Sequence, residues 1–356
     1  MTSLGNFPDR FMAEIHGQPA ALRRAADSVG DQVVALNRVA EVRGRTAVFT
    51  AMGGSFHACY PAVVELAARG IISLHVTASE LLHFRRRILD PQTVVVVVSQ
   101  SGTSAEVVRL AEALLDQEPR PLVVSITNGL GNPLAERAHI ALDTAAGEER
   151  GPSTMTFAGS LVTLSAVTHV LGGAAPAEAV SRTETLAEGA AEAAERLLVG
   201  SEMLAAQAGR WAAGRHTVVA LGRGPARAAS EMGALVLKES AGIAAEALEA
   251  GQFRHGPLEL SGPDLAAIVV ATEPETKRLE LALTGDLVES GAAVLIVTQD
   301  GEAPPGTLSV ATGRLDRSLC PAVSIIPAQL LAWALAAQHG RVPGVLTRAE
   351  KVTTRE

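Results

Sequence analysis

The run Thr93-Val94-Val95-Val96-Val97-Val98, followed at once by Ser99-Gln100-Ser101-Gly102-Thr103-Ser104-Ala105-Glu106, decides how this chain is read. Five consecutive valines are apolar on both sides, the pattern of a strand buried on both faces of a parallel sheet. Two similar runs flank it, Thr46 to Met52 and Pro121 to Thr127, and segments of helical spacing such as Val107, Leu110, Ala111, Leu114 and Leu115 lie between them. Strand and helix alternate, which predicts an α/β fold built on a doubly wound parallel sheet. The second half repeats the order about 170 residues further on, with His216 to Leu221, Leu265 to Ala271 and Ala292 to Thr298. In each half the first strand runs into a glycine-bearing turn, MGGSFHA and then LGRGPARA. Two copies of one α/β domain are expected.

The domain layout follows from these repeats. Residues 1–40 read as an N-terminal helical arm, 41–172 as the first domain, 173–212 as linking helices rich in Ala and Glu, 213–340 as the second domain, and 341–356 as a C-terminal tail. The 356 residues are 47% hydrophobic, enough for two cores without disulfides or a structural metal. Thirty Lys and Arg against 38 Asp and Glu leave a net charge of −8, which argues against nucleic acid as partner. The two cysteines, Cys59 and Cys320, exclude a disulfide framework and fit a reducing compartment. No basic flank precedes an apolar stretch at the start, and no later apolar run approaches the roughly 18 residues of a membrane span, so a soluble, cytoplasmic protein is predicted.

The segment Ser99 to Glu106 has the makings of a phosphate cradle: a strand end, four hydroxyls and an amide, a glycine for close approach, and a helix start with free N–H groups. Thr103 and Glu106 also have the spacing of a capping box. Gly53-Gly54-Ser55 closes the first strand and is expected to share the same crevice. The second copy reads Thr272-Glu273-Pro274-Glu275 at the corresponding place, two carboxylates that would repel a phosphate. It offers instead Glu239 among Leu235, Leu237 and Ile243, a candidate proton shuttle, and His255 before Gly256-Pro257, a candidate acid/base group.

MGGSFHA, VSQSGTSAE, AGEERGPST (Ala146 to Thr154), LGRG with GALVLKE, QFRHGPLEL and a C-terminal EKVT, preceded by MAEIHGQP in the arm, together resemble the sugar-isomerase (SIS) fold in its tandem form. The resemblance is to the isomerase half of glucosamine-6-phosphate synthase and to stand-alone amino-sugar-phosphate deaminase/isomerases. It implies two flavodoxin-like domains and no cofactor or metal. It also implies a sugar 6-phosphate substrate held by Ser55, Ser99, Gln100, Ser101 and Ser104, with Gly53, Gly54, Gly102, Thr103 and Ser153 as further candidates for the same site. By the same resemblance Glu239 is the base between C1 and C2, and His255 opens the ring from a neighbouring subunit of a homodimer. Lys351 is the Schiff-base lysine, although Glu350 takes that place if the following Val-Thr is aligned without a gap.

The chain departs from the family pattern at Gly54, Met155, Met232, Val236 and Gln252; lysines are usual at 155 and 236. No N-terminal Cys nucleophile is present, so glutamine-dependent synthesis is not expected. The reading is an amino-sugar-phosphate isomerase/deaminase that releases ammonia. A keto/aldo isomerase, a deglycase of glycated amine sugar phosphates and a non-catalytic phosphosugar sensor are the alternatives. Dinucleotide binding at Gly222 to Arg227, a catalytic metal and a Ser-His-Asp hydrolase lack the required spacings.

Overall fold

A computed structural model describes residues 8–355; residues 1–7, at the head of the expected arm, lie outside the described residues. The chain forms two compact units, each assembled from separated segments. One comprises Ala20–Glu148, Met155–Glu188 and Arg348–Glu356, the other Met1–Pro19, Glu149–Thr154 and Gly189–Thr347.

The first of these units carries β1 (Thr46–Ala51), β2 (Ser73–Thr77), β3 (Thr93–Ser99), β4 (Leu122–Thr127) and β5 (Ile140–Asp143), in the order β2-β1-β3-β4-β5. Every pairing is parallel, with Ala51 beside Val98 and Val98 beside Ile126. All seven residues of β3 are buried, as an apolar run with no polar face requires. The second unit carries β6 (Thr217–Gly222), β7 (Ala245–Glu249), β8 (Leu265–Ala271), β9 (Ala293–Thr298) and β10 (Leu308–Ala311), in the order β10-β9-β8-β6-β7. This is the same walk from strand to strand, and β6, β8 and β9 begin 171, 172 and 171 positions after β1, β3 and β4. The fold is α/β with two five-stranded parallel sheets in the flavodoxin-like order.

The six strands expected from continuous apolar runs are present, with ends shifted by one residue at most. Helices Arg10–His16, Gln18–Asp31 and Val33–Ala40 make up the described arm, and Pro176–Leu198 and Ser201–Ala212 occupy the Ala/Glu-rich stretch. In the former of these two, Ala179, Thr183, Ala187, Ala190, Ala194 and Leu198 form a buried stripe at the helical period. One expectation is corrected. Cys320–Gln338 is long and apolar enough to cross a membrane, but 89% of its apolar window is buried within the protein, as in a core helix. Two adjoining helical stretches, each with Pro near its start, had hidden its length in the sequence.

Candidate functional site

In the order β2-β1-β3-β4-β5 the chain winds one way from β1 and the other way from β3, so their carboxyl ends flank the crevice where open α/β sheets take ligands. Both expected donor segments lie there. Gly53, at φ 55°, begins the helix Gly53–Ala68, so Gly53, Gly54 and Ser55 form a helix start with no acidic residue in its first turn. A Cβ at Gly53 would meet nothing within 4 Å, so the backbone there is open to an approaching group.

The loop after β3 is preorganised by its own hydroxyls. Ser99 Oγ accepts from the Gly102 N–H at 3.2 Å, and Ser101 Oγ accepts from the Thr103 N–H at 3.2 Å and from Thr103 Oγ1 at 3.0 Å. Each serine keeps its own O–H to donate. The Gln100 carbonyl takes the Asn128 N–H at 3.0 Å, which pins the loop to the end of β4.

The capping box that the spacing of Thr103 and Glu106 allows is not formed. The N-cap of the helix Ala105–Leu115 is Ser104, at φ −60° and ψ 134°, and its side chain makes no capping bond. Ser104 Oγ therefore stands at a helix N-terminus without serving the helix, beside the orphan N–H groups of Glu106 and Val107. The Ala105 N–H is taken by the Thr353 carbonyl at 3.0 Å, which brings the C-terminal segment onto this helix start. Lys351, two residues earlier, is half-buried, whereas Glu350 is exposed.

Asn132 is a residue the sequence reading missed. Its Nδ2 donates to Gly129 O at 2.7 Å and Thr127 Oγ1 at 3.2 Å, and its Oδ1 accepts from the Ala135 N–H at 3.0 Å. It lies against Gly102, where a Cβ would come 1.8 Å from Asn132 Oδ1. Gly102, at φ 63°, is thus required twice, by backbone conformation and by this contact. Asn132-Pro133 reads locally as a helix start, and nothing in it points back 30 residues to the loop.

At the second copy's crevice the carboxylates are present as expected, each met by an arginine of the same unit. Arg317 lies 3.4 Å from Glu273 and also pairs with Glu275. Arg223 lies 2.9 Å from Glu249 and 3.3 Å from Glu280. Burial pushes the Glu273 carboxyl up to about 7 against the pull of Arg317, with Glu275, Asp316 and Glu280 adding to the rise. Burial likewise raises Glu280.

Glu239 sits half-buried in a π-helical turn, Leu237–Ala241, that widens the end of the helix Arg227–Val236 and stops at Gly242, at φ 67°. His255 lies exposed in the turn after the short helix Ala250–Phe253, its N–H bonded to the Gln252 carbonyl at 3.0 Å. Ser153 is half-buried between Glu149 and Thr154. Gly53 to Ser55, Ser99 to Ser104 and Lys351 thus share one compact unit, and Ser153, Glu239 and His255 belong to the other.

The model of the SIS domain matches residues 43–170 and 213–338, one match on each sheet. The chain belongs to the SIS domain family. It is 26% identical over 359 residues to glutamine–fructose-6-phosphate aminotransferase [isomerizing] of Pyrobaculum aerophilum, and that alignment covers 100% of this chain and 59% of the relative's length. Its fold resembles the C-terminal domain of glucosamine-fructose-6-phosphate aminotransferase from Francisella tularensis, with TM-score 0.85, 22% identity and coverage of 96% and 98% of the two chains. It also resembles glucosamine-6-phosphate deaminase from Thermotoga maritima, with TM-score 0.71, 20% identity and coverage of 97% and 99%.

In the unit that carries the first SIS match, Met155 packs with Ala21 and Ala146 in a small apolar cluster. Val236 and Met232 of the second SIS domain are fully buried. At the three positions where the resemblance leads to an expectation of lysine or glutamate, this chain carries buried apolar side chains.

Proposed function

We propose that this chain is a phosphosugar isomerase whose substrate is an amino sugar 6-phosphate, which it deaminates. The observation that carries the reading is the loop after β3, in which Ser104 is an N-cap without a capping bond and Ser99 and Ser101 keep donors beside open helix-start N–H groups. Such a cradle binds a phosphate dianion by charge-assisted hydrogen bonds and helix polarity, and has no use for a neutral ligand. The names of the relatives agree in substrate class, since each acts on or makes a hexosamine 6-phosphate or fructose 6-phosphate.

In this reading the phosphate is anchored at Ser55 and Ser99 to Ser104, and His255, contributed by the second chain of a homodimer, moves the proton that opens the ring. Glu239 takes the proton from C2 and returns it at C1, so the aldose amine becomes a C2 imine. The Lys351 amine adds to that imine and ammonia leaves; water then adds to the Lys351 imine, freeing the ketose phosphate and the lysine. Glutamine-dependent synthesis finds no support in this chain's own thiols. Burial raises Cys59 far above the thiol range and pushes Cys320 up to about 12, so neither is a thiolate at neutral pH.

The test is a panel of glucosamine, fructose, glucose and tagatose 6-phosphates, followed for ammonia release and for solvent deuterium exchange at C2 of the aldoses and C1 of the ketoses. Ammonia from glucosamine 6-phosphate is the expected result. Exchange without ammonia would replace deamination by plain aldose–ketose isomerisation, and binding with neither would make the chain a sensor.

A further inference from the structure

The segment Glu149–Thr154, which carries Ser153, is held by two buried carboxylates acting on backbone N–H groups. Glu14, 5% exposed, accepts from the Arg150 N–H at 2.8 Å and the Gly151 N–H at 3.1 Å. Glu149, 6% exposed, accepts from the Thr154 N–H at 2.9 Å and from Thr154 Oγ1 at 3.2 Å. Ser153 lies between these anchors. Gly151 has room for no more: a Cβ there would stand 2.7 Å from Glu14 Oε2 and 3.4 Å from the Gly344 carbonyl.

Glu14 is itself rigidly placed. It belongs to the helix Arg10–His16, whose Phe11, Met12 and Ile15 are buried. At one end Asp9 caps that helix and accepts from Trp333 Nε1 at 2.6 Å; just past the other, Gln18 donates to Gln329 Oε1 at 2.8 Å. Trp333 and Gln329 both lie on the helix Ile326–Gln338. A buried carboxylate is costly to desolvate, and one spent on two backbone N–H groups of a loop makes sense where that loop's geometry matters.

We propose that Glu14 is a positioning residue for the sugar site: it fixes the backbone before Ser153 so that the Ser153 hydroxyl is presented to the bound phosphosugar. This rests on the reading of the chain as a phosphosugar enzyme. It gives the arm sequence MAEIHGQP a task at the site, since the helix that carries Glu14 is the clamp.

A double-mutant cycle tests it, with Kd measured by calorimetry for glucosamine 6-phosphate and fructose 6-phosphate. Glu14→Gln is expected to weaken binding about tenfold by turning charge-assisted hydrogen bonds into weaker, partly mismatched ones. Gly151→Ala should do the same from the opposite side by displacing the carboxylate. In a Ser153→Ala background both effects should shrink to within about twofold, because coupled residues are not additive. A general loss of folding would carry over undiminished into that background. Additive effects, or Glu14→Gln and Gly151→Ala binding as the wild type does, would overturn the proposal and leave the phosphosugar reading standing. Failure of the wild type to bind either sugar phosphate would overturn both.

Discussion

Replacing Gly102 by alanine should cost far more than a surface glycine-to-alanine change. Alanine in the left-handed conformation at φ 63° costs about 1–2 kcal/mol. The added Cβ would also fall 1.8 Å from Asn132 Oδ1, so Asn132 must leave its place. Asn132 then gives up the N-cap bond to Ala135, worth about 1 kcal/mol, and its donations to Gly129 O and Thr127 Oγ1, each worth about 1 kcal/mol net. The expected destabilisation is about 3–5 kcal/mol, read from urea unfolding followed by circular dichroism, with phosphosugar affinity falling in parallel because the Ser99–Gly102 turn is disturbed. Asn132→Ala alone should lose only the three Asn132 bonds, about 2–3 kcal/mol, and in the double variant the clash is gone, so the two changes should sum to less than their separate costs. A Gly102→Ala protein within about 0.5 kcal/mol of the wild type, with sugar phosphate binding unchanged, would refute the argument.

Ser104→Ala should weaken glucosamine 6-phosphate binding by about 1–3 kcal/mol with little loss of stability, since the hydroxyl makes no capping bond; a stability loss of the size normal for a cap would show that it serves the helix instead. Glu273 titrates at about 7 in the folded protein and near 4.5 when unfolded. The folded state therefore binds more protons between those values, and this group's contribution is fully present below about pH 4.5 and is lost as pH rises through 7. Glu273→Gln should accordingly flatten the fall in stability between about pH 4.5 and 7, and a variant whose stability follows the same slope as the wild type across that window would show the folded-state carboxyl to be ionised throughout.

The central strands were legible because burial on both faces leaves no polar position: all of β3 and β8 is apolar or small apart from Thr93 and Ser99. The strands that went unread are β2, β5, β7 and β10, each at or next to a sheet edge or half-exposed, where a short segment such as Ser73–Thr77 mixes polar and apolar residues without a clear period. The phosphate loop was legible for a local reason too, since strand end, hydroxyls, glycine and helix start are contiguous in sequence. Its N-cap is Ser104 and not Thr103, a choice between neighbours that both suit a cap by local propensity and that only the backbone angles decide.

By itself, the amino-acid sequence determined what depends on neighbours along the chain: the buried strands, the duplication at a constant offset, the donor-rich loop in the first copy and the carboxylates in the second. Only the tertiary structure decided what depends on residues brought together from afar. Asn132 lies on Gly102, Glu14 holds Arg150 and Gly151, Thr353 caps Ala105, and Arg317 neutralises Glu273 across 44 positions of chain. These contacts leave no periodic or propensity signal, because a hydrogen bond or ion pair of this kind needs only one side chain at the right distance, and that distance is set by how the packed sheets and helices place their ends.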